Sequence, residues 1–178
     1  MMHDLEPSRP IQRVYLAGPD VFYPDARARG AAMVALCRQH GFEGLYPLDA
    51  QLDEHIQPLS LAIYQANRAL IDQADAVVAN LRDWRGFEPD SGTVWEVAYA
   101  LAQGKPVIGY LPSNETLRER CAAIAPNGTD ANGCQVEDFG LSLNLMLAHS
   151  LTAVVWGTEE GHAGLSAALK RLKALVSQ

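Results

Sequence analysis

The sequence lacks the usual phosphate-binding signatures: Gly18 stands without the other glycines of GxGxxG, and Gly104-Lys105 has neither the upstream glycine nor the following Ser or Thr of a P-loop. Dinucleotide and NTP readings therefore drop. None of the five histidines sits in HExxH and no Cys/His cluster has zinc spacing, so neither a metal nor a cofactor is expected. The three cysteines, Cys37, Cys121 and Cys134, are odd in number, widely spaced and without a CxxC pair, which predicts reduced thiols and no structural disulfide. Basic residues are outnumbered, 14 Lys and Arg against 21 Asp and Glu, and the formal charge of −7 would repel nucleic acid or an anionic membrane surface. A small uncharged substrate fits better. No apolar run approaches the ~20 residues that span a bilayer. His3, Asp4, Glu6 and Arg9 stand where a signal peptide would be apolar, so a cytoplasmic protein is expected.

What the chain does have is 178 residues at 48% hydrophobic composition, enough for one sizeable core and too few to favour two. The expected organisation is a flexible tail over residues 1–10 and a single domain over 11–178. Apolar, β-branched runs at 11–17, 42–46, 76–79, 106–110 and 152–156 read as strands. Between and after them, helical spacing is found up to about residue 40, over 59–72, 91–103, 115–123 and 141–150, and over 163–176. Strands alternating with helices imply right-handed crossovers, hence an α/β, flavodoxin-like, doubly wound sheet of five parallel strands in the order 2-1-3-4-5. In such sheets the ligand crevice lies beyond the carboxyl ends of the strands, which singles out the loops 18–22, 47–57 and 81–90 and the segment after Tyr110.

The helix over 91–103 is the informative element. Val94, Trp95, Val97, Ala98, Tyr99, Ala100, Leu101 and Ala102 leave Glu96 as its only charged side chain, so it reads as buried nearly all round. A carboxylate in such surroundings is either paired or functional, because an unpaired buried charge costs several kcal/mol or forces protonation. Two readings stand. Thr93-Val94-Trp95-Glu96 matches the Ser/Thr-x-x-Glu capping box, in which Glu96 would bond the first backbone amide. Alternatively, Glu96 lies in the first turn facing the crevice, where the positive helix end keeps it ionised and nucleophilic. Asp90, six residues earlier, can share that pocket. Two nearby carboxylates without a metal suit attack on an acetal-like carbon. Trp84 and Phe87 can stack on a base or simply pack.

The run Asp90-Ser-Gly-Thr-Val-Trp-Glu96-Val-Ala-Tyr-Ala-Leu-Ala-Gln-Gly-Lys-Pro-Val resembles the catalytic segment of the nucleoside 2-deoxyribosyltransferases. Val14-Tyr-Leu-Ala-Gly-Pro19, Tyr46-Pro-Leu-Asp-Ala-Gln51 and Asn144-Leu-Met-Leu147 resemble three further stretches of that family, in order and at predicted strand ends. The resemblance implies transfer of a 2-deoxyribosyl group between nucleobases by retaining double displacement, with 2′-deoxynucleosides and free bases as partners. It makes Glu96 the nucleophile at C1′, Tyr15 its positioning partner, and Asp90 and Asn144 ligands of the sugar 5′-hydroxyl. Asn144 would come from a neighbouring subunit of a homo-oligomer, although it also reads as an ordinary polar residue on an amphipathic helix.

Gly18, Phe22 and Trp84 complete the expected substrate pocket. Gln51 falls where the family has a base-contacting glutamine, and an exposed loop position is its plainer reading. Asn67 is a departure, since some members carry there an aspartate that helps protonate the departing base, and an amide cannot act as a general acid. It equally suits a structural role on its helix. An N-glycoside hydrolase of the same superfamily is the alternative function. Asp90 argues against its nucleoside-monophosphate version, because a carboxylate there would repel phosphate. A non-catalytic nucleotide-sensing module is the remaining alternative, since flavodoxin-like sheets host many functions.

Overall fold

The computed structural model describes residues 10–49, 57–158 and 162–176. Five strands, β1 (Arg13–Ala17), β2 (Glu43–Leu45), β3 (Ala76–Asn80), β4 (Val107–Leu111) and β5 (Ala153–Trp156), form one sheet in the order β2-β1-β3-β4-β5. Every neighbouring pair is parallel. The helices are α1 (Ala26–Gln39), α2 (Leu59–Gln73), α3 (Ser91–Ala102), α4 (Leu117–Arg120), α5 (Leu145–Ser150) and α6 (Ala163–Val176). The predicted α/β class and strand order are those found.

Strand periodicity divides the core into two layers. Val14 and Leu16 of β1 face the side covered by α1 and α6, with Met33, Cys37, Leu165, Leu169 and Leu172. Tyr15 and Ala17 face the opposite side, with Ile71 of α2 and Val97 and Ala100 of α3. This is the alternation that a strand buried on both faces requires, and it explains why β3 reads Ala-Val-Val-Ala-Asn with every residue buried.

The order of strands reverses between β1 and β3, which makes their carboxyl ends the place where loops diverge and a crevice opens. There Asn80 Nδ2 donates to Asp20 Oδ2 at 3.0 Å, tying the turn after β1 to the end of β3. Gly18 is needed for this approach, since a Cβ on it would lie 2.8 Å from the Asn80 Cβ.

Two helices are shorter than their apolar patterns predict. The helix expected over 141–150 begins only at Leu145, because its first carbonyls are taken up elsewhere: Leu141 O accepts from Leu117 N at 2.8 Å and Ser142 O accepts from Arg120 Nη2 at 2.9 Å. The helix expected over 115–123 is the single turn α4, followed by a 3-10 turn over Cys121–Ala123. Its start is fixed by a capping box between Thr116 and Glu119.

Candidate active site

Tyr15, from the middle of β1, is fully buried and projects towards α3, where its hydroxyl donates to Glu96 Oε1 at 2.6 Å. The two residues are 81 positions apart in sequence, and only the sheet with its covering helix brings them together. Glu96 is not part of a capping box. Asp90 is the N-cap of α3, and its Oδ2 accepts from Thr93 N at 2.9 Å and from Thr93 Oγ1 at 3.1 Å. With Ser91 as the first helical residue, Glu96 lies in the second turn, one turn deeper than expected.

That depth reverses the expected electrostatics. Burial pushes the Glu96 carboxyl up from the ordinary 4.5 to about 7; the Tyr15 hydrogen bond pulls it back down and the Asp90 charge adds to the rise. The cost of desolvation outweighs any help from the helix end, whose field fades within the first turn. Tyr15 is pushed far above its ordinary value by burial and then by the Glu96 charge and hydrogen bond, so it stays a donor throughout the neutral range. The result is a carboxyl poised between its two forms near neutrality, with one oxygen held by a phenol.

The expected burial of α3 on all sides needs correction as well. Thr93, Val97 and Ala100 are buried, whereas Trp95 is 42% exposed, stacked on Tyr99 with ring centroids 5.0 Å apart and edge-on to Tyr64 at 5.4 Å. The helix packs on the sheet and on α2, and its remaining apolar surface is uncovered. Val94, Ala98 and Leu101 border an open groove of about 530 Å³, whose other wall carries Asn144, Met146 and Leu147. At about 100° per residue, these three lie on the side of α3 away from Glu96 and its neighbours Thr93 and Ala100. Asn144 and Glu96 of one chain are therefore not brought together.

The loops at the crevice bring Phe22 and Trp84 into a stack, with centroids 5.5 Å apart and planes 20° from parallel. The Arg85 guanidinium lies over both rings, 5.7 Å from Phe22 and 5.5 Å from Trp84. Phe22 is 52% exposed. Phe87 is half-buried in the same loop. Asn67 is half-buried on α2, one turn before the buried Ile71 and hence on the inward side of that helix. Gln51 lies outside the described residues.

Sequence reasoning missed the polar residues that hold these loops, Asp20 and Asn80, both 5% exposed, and Arg82, which donates to the Tyr23 hydroxyl, and it missed Glu137, which accepts from Asn144 Nδ2 and Leu145 N at the start of α5. Asn80 carried a signal, as the one polar residue ending an apolar strand. Glu137 carried none, since it follows a turn-rich segment over 126–133 and its partner Asn144 is seven residues further on, across irregular chain. Among the described residues, no group of three or more His, Cys, Asp or Glu side chains is arranged to hold a metal, and no helix is long and apolar enough to cross a membrane.

The sequence profile of the nucleoside 2-deoxyribosyltransferases matches residues 14–146 of this chain. The chain belongs to that family. The matched region encloses Tyr15, Gly18, Phe22, Gln51, Asn67, Trp84, Asp90, Glu96 and Asn144. An uncharacterized protein of Schizosaccharomyces pombe is 31% identical over 155 residues, covering 75% of this chain and 74% of that one. Among solved structures, a 2-deoxyribosyltransferase from Leishmania mexicana is similar at 29% identity with a TM-score of 0.69, covering 94% of this chain and 98% of that one. A 2-deoxyribosyltransferase from Bacillus psychrosaccharolyticus, 20% identical with a TM-score of 0.55 over 80% of this chain and 85% of that one, shares the family's fold.

Proposed function

We propose that this protein transfers a 2-deoxyribosyl group between nucleobases through a covalent glycosyl-Glu96 intermediate. The observation that carries the reading is the hydrogen bond at 2.6 Å between the buried Tyr15 and the half-buried Glu96, a carboxylate with a dedicated donor and no ion-pair partner among the described residues. In the first step the free Glu96 oxygen attacks C1′ as the C–N bond breaks, and the base leaves with the bonding electrons and takes up a proton. In the second, the nitrogen of an incoming base attacks C1′ and gives up its proton to water, the ester bond breaks and the Glu96 carboxylate is restored. Two inversions give retention.

Tyr15 would hold the carboxylate's orientation and compensate its charge in the free enzyme. Asp90, with Oδ2 occupied by the helix cap, keeps Oδ1 for the sugar's 5′-hydroxyl. The exposed Phe22 face would take the base, since the Phe22–Trp84 pair is already closed on itself. Asn67 cannot supply the proton to the leaving base, so that proton must come from another group or from water. Asn144 would serve the site of a neighbouring subunit, a reading supported by its position across the groove from Val94 and Ala98, away from its own Glu96.

Incubation with 2′-deoxyinosine and adenine tests this reading. Hypoxanthine together with 2′-deoxyadenosine is the expected outcome; hypoxanthine alone would make the protein a hydrolase of the same superfamily, and neither product would leave a binding module. A 2′-deoxy-2′-fluoro nucleoside should trap its sugar on Glu96, and a label on another side chain overturns the mechanism.

A further inference from the structure

We infer that Glu137 is a positioning residue for the transfer reaction, setting the side-chain amide of Asn144 for contact with the sugar's 5′-hydroxyl. This inference rests on the assignment of Asn144 proposed above. The Glu137 carboxylate is forked over the start of α5: Oε1 accepts from Asn144 Nδ2 at 2.7 Å and Oε2 accepts from Leu145 N at 2.8 Å. Asn144 Oδ1 in turn accepts from Met146 N at 3.0 Å. Capping the helix uses that oxygen and Glu137 Oε2, which take the amides of Met146 and Leu145. The bond from Asn144 Nδ2 contributes nothing to the cap; with both ends of the amide held, the plane of the side chain and the identity of its outward N–H are fixed.

An asparagine amide has two N–H donors and two acceptor lone pairs, so one of each remains for a ligand. The acceptor holding it is a carboxylate, and a hydrogen bond to a charged oxygen is roughly twice as strong as one to a neutral oxygen. The setting is a surface that faces outwards: Met146 beside Asn144 is 72% exposed and Phe139 beside Glu137 is 67% exposed. A polar side chain ordered this firmly among exposed apolar neighbours, at the rim of the groove along α3, is prepared for a contact that its own chain does not make. The turn-rich segment leading to Glu137 thereby gains a task, which is to carry a carboxylate back onto Asn144.

The test compares 2′-deoxyinosine with 2′,5′-dideoxyinosine, adenine being the acceptor, in wild type, Glu137→Ala, Glu137→Gln, Asn144→Ala and the Glu137→Ala/Asn144→Ala double variant. Glu137→Ala should lower kcat/KM about tenfold for the substrate with a 5′-hydroxyl, the equivalent of one hydrogen bond, and leave the 5′-deoxy substrate near its wild-type value. Glu137→Gln, which keeps one accepting oxygen in place, should lie between the two, and it serves as the test if the alanine variant fails to fold. The double variant should be no worse than Asn144→Ala alone. Loss of activity on both substrates alike, or effects that add in the double variant, would reduce Glu137 to a helix cap and overturn the proposal. If Asn144→Ala itself leaves the ratio of the two substrates unchanged, the 5′-hydroxyl assignment of Asn144 falls and Glu137 with it; if Asn144→Ala changes the ratio and neither Glu137 variant does, only the role of Glu137 falls.

Discussion

Replacing the proposed nucleophile with its neutral isostere should stabilise the protein, by an amount that depends on pH. In Glu96→Gln the Oε1 atom still accepts from Tyr15, the side chain keeps its volume, and only the ionisable proton is lost. In wild type the carboxyl is lifted from 4.5 to about 7, chiefly by burial. Between those two values the folded state holds a proton that the unfolded chain has released, so stability falls as pH rises through this window, and the contribution of this one group is fully lost above the folded value. At 1.36 kcal/mol for each unit, the penalty above about pH 8 is ~3 kcal/mol relative to pH 4.5. The glutamine variant does not pay it. For a chain of this length ~3 kcal/mol is about 6–12 °C in Tm. Thermal melts of both proteins at about pH 5 and pH 8 should therefore show a small difference at the lower pH and a gap of that size at the higher, with the variant the more stable, while its transfer rate falls by roughly 10³-fold or more. Equal Tm differences at the two pH values would mean that Glu96 ionises in the folded protein as it does in water, and the argument from burial would be wrong.

Tyr15→Phe removes the hydrogen bond that holds the Glu96 carboxyl down, so the acidic limb of the pH profile of kcat/KM should move to higher pH than in wild type, with a loss of about tenfold or more at neutral pH. A profile unmoved in position would show that the phenol does not act on this carboxyl. Gly18→Ala forces a Cβ to within 2.8 Å of the Asn80 Cβ and should cost about 1–3 kcal/mol in urea unfolding, with loss of transfer activity as the turn carrying Phe22 shifts. An unchanged midpoint would mean that the turn yields freely.

The fold was legible in the sequence because it rests on periodicity. The runs Val14 to Ala17, Ala76 to Asn80 and Val107 to Leu111 are short, apolar and separated by helical spacing, and an all-parallel order follows almost from their alternation. Helix ends were less legible where tertiary contacts decide them: the apolar pattern of residues 141–150 suits a helix throughout, and it is Arg120 and Leu117 that claim the carbonyls of its first residues. The candidate site was half legible. A lone Glu96 in an apolar helix signals itself, but the capping motif competes with any functional reading, and sequence cannot show that Asp90 takes the cap and leaves Glu96 to Tyr15. Depth was misjudged for the same reason. The helix start at residue 91 was read correctly and puts Glu96 sixth, in the second turn, where burial governs its proton affinity; the first-turn placement followed the Thr93–Glu96 motif instead.

The two uncorrelated surfaces of α3 explain why such a costly carboxylate can persist. On one side, Thr93 and Ala100 flank Glu96, whose partial burial raises its pKa. On the other, Val94, Ala98 and Leu101 stand open to the groove that Asn144 borders. A monomer thus carries a half-buried acid, held above its ordinary pKa, and an uncovered apolar face on the same helix. Covering that face with a second subunit would return apolar burial at roughly 25 cal/mol for each Å², so a contact hiding only about 150 Å² of it offsets the ~3 kcal/mol that Glu96 costs. If the subunit that covers the groove is also the source of Asn144, assembly compensates the strain of the nucleophile and completes the sugar site in one step, and a chain without its partner would lack both.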